Sequence, residues 1–178
     1  MKIQFPNIAI VGTGAMGRGI AQIGAQAGSQ VFLLDANPGA AGAARAALQE
    51  QWNKLVAKGR IEADQATALT ARLHPVKTVA ELAACDLVVE AIVERLDAKQ
   101  ALFVELEGVV RADAVLATNT SSLSVTAIGA SLKRPERLAG FHFFNPVPLM
   151  KVVEVIAGLK TDPSICTALA AYAKAMGH

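Results

Sequence analysis

The stretch IAIVGTGAMGRGIAQ, residues 8–22, constrains the fold more than any other part of the chain. A short apolar run rich in β-branched residues ends in three closely spaced glycines and passes at once into a helical pattern. That order is the strand, turn and helix of a βαβ unit, which commits the chain to a largely parallel sheet covered on both faces. Gly12, Gly14 and Gly17 are spaced G-x-G-x-x-G. The first glycine of this pattern permits a tight turn, the second lets a pyrophosphate approach the backbone, and the third lets helix and strand pack closely. Unpaired amides and the positive end of the helix dipole would then face the phosphates. Glycines at a strand-helix turn also serve close packing alone, so the pattern needs support.

Asp35 supplies it. It lies 18 residues beyond Gly17, at the end of VFLLD, where a carboxylate accepts ribose hydroxyls and repels a 2′-phosphate. The expected cofactor is NAD rather than NADP. The competing reading of Asp35 as a helix cap is weakened because Asn37 before Pro38 already fits the cap and first-turn positions. With Gly12, Gly14, Ala15, Met16 and Gly17, Asp35 completes a candidate cofactor-binding set.

The rest of the chain agrees with one soluble α/β unit. With 178 residues, 53% of them hydrophobic, and a formal charge of +2, it can bury one good core and is not strongly polyanion-seeking, so no nucleic-acid partner is expected. No apolar run approaches the roughly 18 residues of a membrane span, and the start lacks the signature of a cleaved signal, so a cytoplasmic location is expected. Cys85 and Cys166 form no CxxC pair and are expected as reduced thiols, with no metal site.

Alternating apolar runs and Ala-rich stretches of helical period predict strands at 7–11, 30–34, 74–77, 86–90, 114–118, 138–143 and 151–156. Helices are predicted at 15–28, 96–110, 124–130 and 163–176, the short third one capped by Ser124. Region 38–71 is long for a crossover, and Gly59 suggests two helices joined by a turn, a hairpin projecting from the sheet as an arm. The architecture expected is a Rossmann-type doubly wound, mostly parallel sheet with this helical arm, spanning 1–178 as one domain.

The stretch LAGFHFFNPVPLMKVVEV, residues 138–155, bears on chemistry. His142 ends an apolar run, NPVP turns the chain, and KVVEV reads as a returning strand. A hairpin centred on Pro148 places His142 opposite Glu154. A carboxylate on one imidazole nitrogen fixes the tautomer and stabilises the imidazolium formed when the other nitrogen takes a proton. A lone histidine is more often a core residue beside an unrelated acid. Here it is expected at the carboxyl edge of the sheet, where α/β folds bind ligands.

GTGAMGRGIAQ, LVVEAIVE, TNTSSLS and FHFFNPVPLMKVVEV, in this order and spacing, resemble the NAD-binding domain of the 3-hydroxyacyl-CoA dehydrogenase family over essentially the whole chain. The resemblance implies NAD-dependent interconversion of L-3-hydroxyacyl-CoA and 3-oxoacyl-CoA. It implies His142 as catalytic base, Glu154 as its partner, and Ser121 as the hydroxyl contacting the substrate oxygen. It places Glu94, Lys99, Asn119 and Asn145 along the cofactor and substrate cleft, with Glu90 just before them. From the residues alone, Asn119 and Ser121 could equally form a turn, Lys99 could be a solvated helix residue, and Asn145 could serve the turn before Pro146. Lys54, Lys58 and Arg60 could meet the phosphates of coenzyme A, as the family's arm does, or form a solvated face. The family continues into a helical C-terminal domain that completes the acyl-CoA cleft and usually makes a homodimer. The sequence ends at His178, so a fragment of a longer enzyme, of little activity alone, is expected. A non-catalytic NAD-binding relative, as among lens crystallins, is the alternative. A β-hydroxyacid dehydrogenase that relies on a lysine in a later domain fits HFFNPVP and Glu154 less well.

Overall fold

The computed structural model describes residues 4–178. Among these residues seven strands form a single sheet. They are β1 (Asn7–Val11), β2 (Gln30–Leu34), β3 (Leu73–Pro75), β4 (Leu87–Glu90), β5 (Val115–Thr118), β6 (Leu138–Phe143) and β7 (Val153–Ala157), in the spatial order β3-β2-β1-β4-β5-β6-β7. β1 to β6 run parallel and β7 closes the edge antiparallel to β6. The order reverses between β1 and β4, which opens a crevice beyond their carboxyl ends, where ligands of doubly wound folds sit.

Each inner strand is buried on both faces, as a sheet with helices on either side requires. The two-residue alternation sends Ile8 and Ile10 into one core layer with Ile20, Ile23, Leu48, Trp52 and Tyr172. Ala9 and Val11 enter the other with Val88, Phe103, Leu106 and Ile128. The helices are α1 (Ala15–Gln26), α2 (Ala40–Ala57), α3 (Ala63–Ala71), α4 (Leu96–Val109), α5 (Val125–Gly129) and α6 (Pro163–Ala175). α5 is capped as expected, its Ser124 Oγ accepting the Ala127 N–H at 3.2 Å. α6 is pinned to the sheet by a buried Tyr172 hydroxyl 2.7 Å from Ser29 Oγ, which itself donates to the Phe5 carbonyl.

Several expected boundaries change. α1 stops at Gln26 because Gly28 turns the chain at φ +102°. The strand expected at 74–77 is Leu73–Pro75, and the one expected at 151–156 begins at Val153, where pairing with Phe143 starts. α2 begins at Ala40, behind Gly39 at φ +83°, so Asn37 and Pro38 do not start the helix. Two short 3₁₀ turns, Val79–Leu82 and Pro135–Arg137, were not anticipated, although Thr78 and Glu81 spell the capping box of the first.

Gly59, at φ +64°, does join two helices. The resulting hairpin is not a free arm. Trp52 is fully buried, Gln51 donates to Gln22 of α1 at 3.4 Å, and Arg45 and Arg72 donate to the carbonyls of Leu73 and Ala25. The hairpin's outer face is exposed, and so is its far end around Lys54, Lys58 and Arg60. No helix among the described residues is long and apolar enough to cross a membrane.

Candidate active site

The glycine turn joins β1 to α1 at the crevice. A Cβ on Gly12 would lie 2.5 Å from the Ala91 carbonyl oxygen behind β4, and one on Gly17 would lie 1.8 Å from the Gly12 oxygen. At Gly14 a Cβ would meet nothing within 4 Å. The outer glycines are therefore bare for packing, and the middle one borders open space. Gly14 is also the N-cap of α1, with no side-chain cap and no acid in the first turn. The first-turn amides and the positive end of the helix are left for an anion. This cradle fits the pyrophosphate of a dinucleotide.

Asp35 directly follows β2, next to that turn. Its Oδ2 accepts the Thr13 N–H at 2.7 Å and the Thr13 hydroxyl at 2.8 Å, and its Oδ1 accepts the Asn37 N–H at 2.9 Å. Partial burial pulls its pKa upward, but the hydrogen bonds from Asn37 and Thr13 outweigh it and hold the carboxyl below its ordinary 3.8. Asn37, expected as a helix cap, instead donates to Asp35. The carboxylate opens on a hollow with Pro38, Pro75, Val76 and Lys77, whose size and apolar walls suit an adenosine.

At the other end of the crevice lies a cleft of about 520 Å³, bounded by Met16, Glu94, Lys99, Asn119, Ser121, His142 and Asn145. His142 and Glu154 are paired across β6 and β7, and the His142 Nδ1 is 2.9 Å from the Glu154 Oε2. The hairpin is centred where the sequence places it, with Phe141 opposite Val155 and Phe143 opposite Val153. Phe144 packs against the imidazole, with ring centroids 4.6 Å apart.

Residues 7–178 match the family described as 3-hydroxyacyl-CoA dehydrogenase, NAD binding domain. The chain belongs to this family. Among curated relatives, the 3-hydroxyadipyl-CoA dehydrogenase of Escherichia coli K12 is 45% identical over 165 residues, which cover 93% of this chain and 35% of that protein. The probable 3-hydroxybutyryl-CoA dehydrogenase of Bacillus subtilis is 39% identical over 98% of this chain and 61% of its own length. Among solved structures, 3-hydroxybutyryl-CoA dehydrogenase from Escherichia coli K12 superposes with a TM-score of 0.94 at 43% identity, covering 97% of this chain and 37% of that one. The enzyme from Ralstonia eutropha gives 0.92 at 35% identity, covering 97% and 61%. The chain thus spans between about a third and three fifths of these relatives.

In this NAD-binding domain the other sequence candidates fall into two groups. Glu94, Lys99, Asn119, Ser121 and Asn145 all reach the cleft that holds His142. Asn119 also ties β5 to β6, its Oδ1 accepting the Phe143 N–H at 2.9 Å. Ser121 is exposed at the cleft rim. Lys54 and Lys58 do not line the cleft; both lie at the exposed end of α2, with Lys54 paired to Glu50 at 2.7 Å. Lys99 departs most from the solvated reading. It is 1% exposed, its ammonium bonded to Glu90 and 3.2 Å from the Glu94 Oε2. Glu94 is also held by the hydroxyls of Thr120 and Ser122. Burial raises its pKa, but these hydroxyls and Lys99 bring it below its ordinary 4.5.

Sequence reasoning passed over Thr13, Lys77, Thr118 and Thr120. For Thr120 the polar run TNTSS was a signal; for Thr13, an interior position of the glycine pattern, there was none. Among the described residues no three His, Cys, Asp or Glu side chains gather as a metal site. Cys85 is buried and Cys166 half-buried, both free, and burial pushes the Cys85 thiol up to about 12.

Proposed function

We propose that residues 1–178 are the cofactor domain of an NAD-dependent 3-hydroxyacyl-CoA dehydrogenase, with His142 as general base and Glu154 as its partner. The observation that carries this reading is the His142–Glu154 pair opening on the same crevice as the Gly14 cradle and Asp35.

Oxidising a secondary alcohol removes a proton from oxygen and a hydride from carbon. NAD, when bound, supplies the hydride acceptor. Gly14 and the first turn of α1 hold its pyrophosphate, Asp35 accepts from its ribose hydroxyls, and Glu94 and Asn119 position its reacting end. The Glu154 carboxylate accepts Nδ1–H of His142, so Nε2 of the neutral ring carries the lone pair that takes the substrate proton. In the reverse direction the imidazolium returns that proton. Ser121 donates to the same substrate oxygen and stabilises its charge.

The substrate class is an acyl-CoA, whose phosphates meet Lys54 and Lys58 at the end of the α2–α3 hairpin. Leu149, Met150 and Val152, in the segment that leads from Asn145 to β7, are exposed apolar side chains. A helical domain in the same polypeptide covers this surface and forms the second wall, as the greater length of the relatives supports. Assembly as a homodimer belongs to that longer form.

The test uses His142→Ala in the domain joined to its helical partner. Turnover of acetoacetyl-CoA with NADH should fall about 10²–10⁴-fold, the usual contribution of a positioned general base, with NADH affinity nearly unchanged. A variant that instead melts earlier and binds both ligands worse would make His142 a packing residue.

A further inference from the structure

Glu90 is fully buried at the end of β4, beneath the cleft, and the mechanism above does not use it. Its Oε1 accepts the Ile92 N–H at 2.7 Å and the Lys99 ammonium, and its Oε2 accepts the Thr118 hydroxyl at 2.7 Å. Every group around it donates, the pattern that suits an acceptor-only carboxylate. Lys99, as deeply buried, also lies 3.2 Å from Glu94. Two carboxylates therefore share one ammonium. Glu90 is sealed from solvent, whereas Glu94 has a side chain 40% exposed and lines the cleft.

We infer that Glu90 is a positioning residue that takes up part of the Lys99 charge, leaves the Glu90–Lys99–Glu94 cluster one negative charge in excess with Glu94 as its member at the cleft, and so biases the site toward the cationic, oxidised nicotinamide over the neutral, reduced one. The inference rests on the reading of the cleft as the reacting end of an NAD site. The physical step is Coulombic. Glu94 is partly exposed, so its charge acts through an intermediate effective dielectric, more strongly than in bulk water and far less than in a dry interior. The two redox forms of NAD differ in charge at the nicotinamide ring alone, so the ratio of their affinities isolates this effect. Of the other ionisable groups, His142 is paired with Glu154 across the cleft and Asp35 lines a separate hollow at the other end of the crevice. Neither changes when Glu90 is neutralised.

The experiment measures Kd for NAD⁺ and for NADH by calorimetry, on the chain and on Glu90→Gln, at one ionic strength. Glutamine keeps the shape and releases Lys99 to neutralise Glu94. The ratio Kd(NAD⁺)/Kd(NADH) should rise about fivefold, the scale of one partly screened charge near a cation. A purely structural role would weaken both forms in parallel, and an unmoved ratio overturns the inference. Should Glu90→Gln fail to fold, Glu94→Gln at the cleft wall removes the same charge and should raise the ratio in the same direction; no change there also overturns it. If the unaltered chain binds neither form, the NAD reading of the cleft fails first and takes this inference with it. Binding of both forms with an unmoved ratio sinks the inference alone.

Discussion

A single methyl group separates the roles of the turn glycines. Gly17→Ala puts a Cβ against the Gly12 carbonyl, a backbone atom that cannot move aside, and should cost ~3 kcal/mol or more. Gly14→Ala meets no protein atom and its φ of −63° suits any residue, so stability should change by less than about 1 kcal/mol. Yet NADH affinity should fall at least about tenfold, because the methyl stands where the pyrophosphate must approach. Thermal melts and an NADH titration of the two variants check this. A Gly14→Ala protein that binds NADH normally would move the phosphates elsewhere. At this scale the spacing of Gly12, Gly14, Gly17 and Asp35 was legible because a local motif carries it. The burial of Lys99 was not, since its two carboxylates come from β4 and the loop after it, and Thr118, which holds Glu90, comes from a third segment 28 residues on.

Among the elements, the β6–β7 hairpin was the most readable, because NPVP fixes the turn and alternation fixes the register. Its symmetry about Pro148 puts His142 opposite Glu154, which is the register the two strands adopt. The α2–α3 hairpin was readable only in part. Gly59 announced the turn, but nothing local says that Trp52 is buried in the same core layer as α1 and β1. Nor did the sequence reveal that Gly39, rather than Asn37, begins α2. Trp52 therefore anchors the hairpin. Trp52→Ala should lower stability by about 3–5 kcal/mol, the usual cost of emptying a large aromatic site. Trp52→Phe should cost much less, because the indole N–H is buried without a partner and no hydrogen bond is lost. Denaturant melts followed by circular dichroism distinguish the two. Equal losses would mean that the indole nitrogen matters after all.

For the whole molecule, the architecture followed from one strand-turn-helix unit and its repetition, and the strand order makes the crevice between β1 and β4 unavoidable. Everything proposed for the site depends on that crevice holding NAD, the cofactor of the family. The adenosine end gives the sharpest test, because Asp35 remains ionised well below neutrality, held by Thr13 and Asn37. Ribose hydroxyls can donate to it, whereas a 2′-phosphate brings a second negative charge against it. Calorimetry of the chain with NADH and with NADPH, repeated on Asp35→Ala, measures this directly. NADH should bind at least about tenfold more tightly than NADPH, a difference of 1.4 kcal/mol, and the variant should lose most of that gap chiefly through weaker NADH binding. Equal affinities in the unaltered chain, or a gap that survives the loss of Asp35, would contradict the account.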